Sequence, residues 1–127
     1  MAFLQAQTQP GIEAVLDLLD FDHALDGIDL VITGEGRMDW QSAFGKVPSG
    51  IGKRCIKAGI PAVAIVGGLL DGYEAIYDCG IDSVVTTING TMSIDQAIAN
   101  SHALYLDAAR RLLRMIRCGM SIHIPYT

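Results

Sequence analysis

The 127-residue sequence contains no apolar run close to the ~20 residues that a membrane-spanning helix requires. A membrane protein of that kind is therefore not expected. Positive charge is scarce and unevenly placed. No Lys or Arg precedes Arg37, although seven acids occur up to that point. The other cations fall between Lys46 and Lys57 and between Arg110 and Arg117, and the net charge is −5. That distribution gives no continuous basic face for DNA or RNA. Cys55, Cys79 and Cys118 are odd in number and far apart, with no C-x-x-C pair. Neither a disulfide framework nor a zinc site is expected, so a reducing cytoplasm is the default location. Met1-Ala-Phe-Leu-Gln5 lacks the charged start and long apolar stretch of a secretory leader.

Apolar residues, in contrast, make up 50% of the chain, with a mean hydropathy of +0.35. The length suits one domain with one core. Small domains expose much of their surface, so this composition implies apolar surface that something else covers.

Residues 1–9 are polar and irregular. Pro10 suits the first position of a helix carrying Ile12, Val15, Leu16 and Leu19 at helical spacing. Asp26-Gly27 reads as a turn, and 29–33 as a strand. Pro48 opens a helix with Ile51, Cys55 and Ile56 inward, which Gly59 stops. Residues 62–66 are apolar throughout, as in a parallel strand covered on both faces, and Gly67-Gly68 ends them. A short helix over 73–79 precedes a third strand over 83–87. Ser93-Ile-Asp-Gln96 reads as a capping box. It opens one long helix, with Ile94, Ala97, Ile98, Leu104, Tyr105, Ala108, Leu112, Met115 and Ile116 near one face and Gly119 as the stop. A tail follows over 120–127. Strands separated by helices predict an α/β three-layer sandwich with a short parallel sheet, a Rossmann- or flavodoxin-like partial domain. Ligands would bind beyond the strand ends, where 33–46, 67–72 and 86–91 read as loops.

Thr33-Gly-Glu-Gly-Arg-Met-Asp-Trp-Gln-Ser-Ala-Phe-Gly-Lys46 carries most of the chemistry. Two carboxylates, two cations and three glycines lie within fourteen residues, more than a simple connection needs. Gly34-x-Gly36 is not a dinucleotide fingerprint, because Asp39 holds the third glycine's place and would repel a pyrophosphate. Gly45-Lys46 is not a Walker loop, because Val47 replaces the Ser or Thr. Asp39 suits Mg²⁺ or a substrate hydroxyl; it equally suits a helix N-cap. Glu35 and Arg37, alternate residues, would point the same way and could pair; alternatively Arg37 grips a carboxylate or phosphate bidentately. Lys46 near a helix start is poorly placed for the dipole, which favours a ligand anion beside it. Gly67-Gly68 suits either close backbone approach by a ligand or a plain turn. His23, His102 and His123 are scattered and read as structural, and the late Arg cluster as a solvated helix end.

Asp29-Leu-Val-Ile-Thr-Gly-Glu-Gly-Arg37, followed by Asp39, Gln41-Ser42 and Gly45-Lys-Val-Pro48, resembles the ATP-dependent bacterial glycerate kinase family. Pro10-Gly-Ile-Glu13 and Pro61-Ala-Val-Ala-Ile-Val-Gly-Gly68 look similar too. Trp40 and Phe44 depart from the small or polar residues expected there. The resemblance implies the C-terminal segment of a larger two-domain kinase, with residues 1–127 completing a domain begun at the N-terminus. It implies transfer of the ATP γ-phosphoryl group to a glycerate hydroxyl, giving 2-phosphoglycerate, with ATP and Mg²⁺ as cofactors. Asp39, Arg37 and Lys46 would be catalytic, with Asp39 toward Mg²⁺. Thr33, Gly34, Glu35, Gly36, Gln41, Ser42, Gly67 and Gly68 would bind substrate or phosphate. The partners implied are glycerate, ATP and the N-terminal and middle domain of the parent kinase; the segment alone would be inactive. Exposed apolar surface predicts a homo-oligomer. A non-catalytic anion- or small-molecule-binding regulatory domain is the alternative reading.

Overall fold

A computed structural model describes residues 11–125. The readings at residues 1–9 and Pro10, and the tail's last two residues, lie outside that range. Helix α1 (Gly11–Leu18) and the short α2 (Phe21–Ala24) precede strand β1 (Val31–Met38). A 3-10 turn (Trp40–Ala43), helix α3 (Val47–Ala58) and strand β2 (Ala62–Leu69) follow. A 3-10 helix (Tyr73–Cys79) leads to β3 (Ser83–Thr86), then α4 (Ile94–Ala99) and α5 (Ser101–Met120).

The three strands form one parallel sheet in the order β1-β2-β3, with Val31 opposite Ala62 and Val63 opposite Ser83. Side chains of β2 alternate between two cores, as a central strand's must. Ala62, Ala64 and Val66 join Met38, Cys55, Ile76 and Ile81 beneath α3 and the 3-10 helix. Val63 and Ile65 meet Ala108 and Leu112 of α5 on the other face. This is the expected three-layer α/β arrangement. Asp82 ties two strand starts together: its carboxylate accepts the Ala62 N–H at 3.0 Å and its N–H donates to the Ala62 carbonyl at 2.7 Å.

The boundaries depart from the sequence reading in an instructive way. Strand β1 runs to Met38 rather than ending at Thr33, and β2 runs through Gly67-Gly68 to Leu69. The glycines disfavour strand individually, but here two strands supply them to each other. A Cβ on Gly67 would run into the Gly36 carbonyl, so only glycine permits this approach. The third strand stops at Thr86, one residue early. Residues 73–79 wind as a 3-10 helix rather than an α-helix.

The long helix is interrupted. Ser93 and Gln96 form the expected capping box, with bonds of 3.1 and 2.9 Å. At Asn100 the backbone leaves helical geometry and its amide returns to the Gln96 carbonyl. A new helix then starts and runs one residue past Gly119. The break turns Ile94 and Ile98 outward, whereas Leu104, Ala108 and Leu112 stay buried as expected. Tyr105 and Met115 are exposed despite their spacing. In α1 only Leu16 is buried, and Ile56 of α3 is exposed.

Candidate functional site

Strand β3 pairs with β2 only as far as Val66 opposite Thr86, while β1 and β2 remain paired to Met38 and Leu69. Among the described residues the last part of β2 therefore has a strand on one flank only. The two strands form a crest above the shorter third, at the C-terminal end where open α/β sheets bind ligands.

Strand alternation slips along this crest. Met38 and Leu69 pack into the α3-side core three residues after Glu35 and Val66, where strict alternation would send them across the sheet. Glu35 and Arg37 consequently diverge, correcting the expectation that they face the same way. Glu35 accepts the Ser42 hydroxyl at 3.1 Å. Arg37 lines the cleft toward α4, and no ion pair joins it to a carboxylate among the described residues.

Asp39 is the N-cap of the 3-10 turn. Its Oδ1 accepts the Gln41 N–H at 2.8 Å, and its own N–H donates to Ser42 Oγ at 3.1 Å. Ser42, fully buried, thus bridges Glu35 to Asp39 and fixes the turn on the strand end. The cap reading and a ligand role remain compatible, because the cap bond occupies only one carboxylate oxygen. A cleft of about 390 Å³ opens beside Asp39, lined also by Trp40, Leu69, Leu70 and Asp71.

On the other side of the crest two clefts adjoin. One, about 580 Å³, is lined by Gly34, Glu35, Gly36, Gly67, Thr87 and residues at the start of α5, including His102 and Tyr105. The other, about 640 Å³, is lined by Gly36, Arg37, Gly67, Gly68 and the apolar side chains of Ile88, Met92, Ile94 and Ile98.

The sequence-predicted residues thus fall into separate groups. Gly34, Gly36, Arg37, Gly67 and Gly68 line the α4–α5 side; Glu35 borders the smaller cleft there while its carboxylate turns to Ser42, and Asp39 lies toward Leu70 and Asp71. Gln41 is exposed beside Asp39. Lys46 lines none of these clefts; it is exposed at the head of α3, where its carbonyl accepts the buried Ser49 hydroxyl at 2.9 Å. Thr33 is buried within β1, away from these clefts. Reasoning from sequence passed over Asp71, whose only signal is a carboxylate before Gly72 at a strand end. It also took His102 for a structural residue, although it lines a cleft. Among the described residues no three Asp, Glu, His or Cys side chains gather as a ready-made metal cage.

A three-stranded parallel sheet between helices, with glycine-bearing strand ends at its C-terminal edge, defines the class: an α/β domain. The chain belongs to the glycerate kinase family, whose family model matches residues 1–117. It is 41% identical over 112 residues to a glycerate kinase of Halalkalibacterium halodurans, covering 88% of this chain and 30% of that protein. It is 35% identical over 120 residues to glycerate 2-kinase of Escherichia coli, covering 94% of this chain and 32% of that protein. A crystal structure assigned as glycerate kinase 2 from Salmonella typhimurium LT2 superposes with a TM-score of 0.66 at 32% identity, covering 95% of this chain and 30% of that one. The chain therefore spans about a third of the length of these relatives.

Proposed function

We propose that this segment supplies the phosphate- and metal-handling strand ends of a kinase that transfers the ATP γ-phosphoryl group to a glycerate hydroxyl. The observation that carries the reading is the crest, which sets Asp39 and Asp71 on one side and Arg37 on the other. The name of the Escherichia coli relative favours the 2-hydroxyl, giving 2-phosphoglycerate. Phosphoryl transfer asks the protein mainly for positioning and charge neutralisation. Asp39, with Asp71 beside it, fits Mg²⁺, which takes one or two carboxylates and completes its shell with phosphate and water. When bound, the ion would neutralise charge on the transferring phosphoryl group. Arg37 would hold a phosphate or the glycerate carboxylate through its planar fork. Glu35 would hold Ser42 and the Asp39 turn in place. The glycines Gly34, Gly36, Gly67 and Gly68 would let a ligand reach the backbone, and Lys46 would serve an anion brought by the rest of the polypeptide.

Among the described residues, the clefts around the crest do not bring Arg37, Asp39 and Lys46 together. Activity would therefore need the N-terminal and middle domain expected of the parent kinase, and the isolated chain would be inactive. The expected setting is cytoplasmic. The exposed apolar side chains of α1, α4 and α5, including Leu18, Ile94 and Met115, fit docking to those parts and to a second copy.

The test is a chimera in which this segment replaces its counterpart in a full-length relative. ADP release with D-glycerate and Mg-ATP should be robust in the chimera and absent from the 127-residue chain. Asp39→Asn in the chimera should lower kcat about 10²-fold with little change in melting temperature, because Asn also caps turns well. Arg37→Lys should lose activity as well, since an ammonium cannot replace a bidentate guanidinium. Normal turnover by Asp39→Asn would remove that assignment. A folded chimera that binds nucleotide without turnover would instead favour the regulatory anion-binding alternative.

A further inference from the structure

We propose that Ser42 is a positioning residue for Asp39, anchored on Glu35, rather than a contact for substrate or phosphate. The proposal rests on the kinase reading and adds what holds the Asp39 carboxylate in place. Ser42 is 1% exposed and lines none of the clefts at the crest, so a bound molecule would not reach its hydroxyl. Both sides of that hydroxyl are already committed. It donates to Glu35 Oε2 at 3.1 Å and accepts the Asp39 N–H at 3.1 Å. The direction is forced, because an ionised carboxylate only accepts and a backbone N–H only donates. The bond to the carboxylate is charge-assisted and is the stronger of the two.

What the bridge supplies follows from the turn's own bonds. Asp39 Oδ1 accepts the Gln41 N–H at 2.8 Å, the Asp39 carbonyl accepts the Ser42 N–H at 3.1 Å, and the Gln41 carbonyl accepts the Phe44 N–H at 2.9 Å. These three bonds lie within residues 39–44 and would travel with the turn if it shifted. The Ser42 hydroxyl instead ends on β1, where Glu35 sits opposite Val66 in the sheet. Among the described residues the other side-chain hydrogen bond reaching the turn comes from Cys79 Sγ to the Ala43 carbonyl at 3.5 Å, and a thiol is a weak donor. The wall that carries Asp71 packs on the same turn: a Cβ on Gly72, at φ +79°, would lie 2.7 Å from Trp40 Cβ. The setting of the turn on β1 therefore also sets the cleft that Asp39 shares with Asp71. Catalytic geometry of this kind depends on such support, since a reacting group displaced by about 1 Å loses on the order of 10²-fold in rate.

The experiment compares Ser42→Ala, Ser42→Thr and Glu35→Gln in the chimera and in the 127-residue chain. In the chimera, Ser42→Ala should lower kcat about 10- to 10²-fold, the scale of a small misplacement, and leave the KM for glycerate nearly unchanged. Ser42→Thr, which keeps the hydroxyl, should recover most of the turnover. Glu35→Gln keeps an acceptor but loses the charge, and should fall between the two. In the 127-residue chain, NMR hydrogen exchange of the Asp39 amide should quicken about tenfold or more in Ser42→Ala, the scale of one lost hydrogen bond. It should stay near the parent rate in Ser42→Thr. A serine that only filled space would give the reverse order: the smaller Ala would keep its kcat per folded molecule, and the added methyl of Thr would be the change that harms. That order would overturn the proposal, as would an Asp39 amide that exchanges alike in parent and Ser42→Ala. A loss confined to KM would also overturn it, by making Ser42 a direct contact for glycerate. Exchange is measured without substrate, so it separates the two claims: normal turnover by Asp39→Asn would remove the catalytic role of Asp39, while the exchange rates decide whether Ser42 holds the turn.

Discussion

The two faces of β2 are packed to different standards. Toward α3 the sheet meets a closed core in which Met38, Cys55, Ala62, Val66, Ile76 and Ile81 have no exposed surface. Backbone touches backbone there: a Cβ on Gly52 of α3 would run into the Cys79 carbonyl. Burial in this core pushes the Cys55 thiol above its ordinary pKa, with the Asp82 charge adding to the effect. Toward α5 only Val63 and Ile65 are matched by buried helix residues, and the space above them opens into clefts. A tight face can hold strand ends still, and an incomplete one can admit a ligand. The molecule divides those tasks across one strand.

The sharpest way to break this contrast is to remove bulk from each face. Ile76→Ala on the closed face should cost about 2–5 kcal/mol, the range for a buried aliphatic truncated to Ala. Ile98→Ala on the open face should change stability by no more than about 0.5 kcal/mol, as at other surface sites. Urea unfolding of both variants makes the comparison; equal losses would mean that α4 is packed as firmly as the core.

A smaller effect is expected behind the closed face. Arg54 of α3 donates to Glu13 at 2.7 Å, Asp17 at 2.8 Å and Asp22 at 3.1 Å, clamping α1 and α2 onto α3. Those bonds, Glu13 foremost, hold the guanidinium's pKa still higher than usual. Arg54→Met leaves three acids facing one another, and should cost about 1–2 kcal/mol once their partial exposure is discounted. Added salt should shrink the deficit by screening the repulsion. A deficit that ignores salt would assign the loss to packing.

The smallest effect belongs to the open face. The Arg111 guanidinium, then the Asn89 amide, hold the Asp107 carboxyl below its ordinary pKa. A depressed carboxylate pKa stabilises the fold above the unfolded value and loses that contribution as pH falls through the folded one. The melting temperature of Asp107→Asn should therefore lie slightly below the parent's at neutral pH and converge with it below about pH 4. A constant gap across that range would rule out the linkage.

What the sequence made legible was local. Apolar runs marked where each strand begins, Ser93 and Gln96 marked a helix start, and the motif around Asp39 pointed to its family. Asp39 as a cap was also readable, since the turn it closes is three residues away. What escaped reading depends on partners distant in the chain. Gly34 to Arg37 looked like a loop until β2 brought its own glycines alongside. The divergence of Glu35 and Arg37 follows from a slip shared by both strands, which neither segment announces alone. Asp71 becomes interesting only because it shares a cleft with Asp39. Arg111 looked like part of a solvated helix end, yet it donates to the Thr86 carbonyl at 3.2 Å as well as to Asp107.

The strand order has a kinetic consequence. Each described strand lies beside the next one in the chain, yet the paired residues are 31 positions apart across β1 and β2 (Val31 opposite Ala62) and 20 apart across β2 and β3 (Val63 opposite Ser83). Parallel pairing waits for crossovers of that length to close, which is why parallel sheets form slowly. Refolding of this sheet should accordingly be slower than that of a helical segment of the same length.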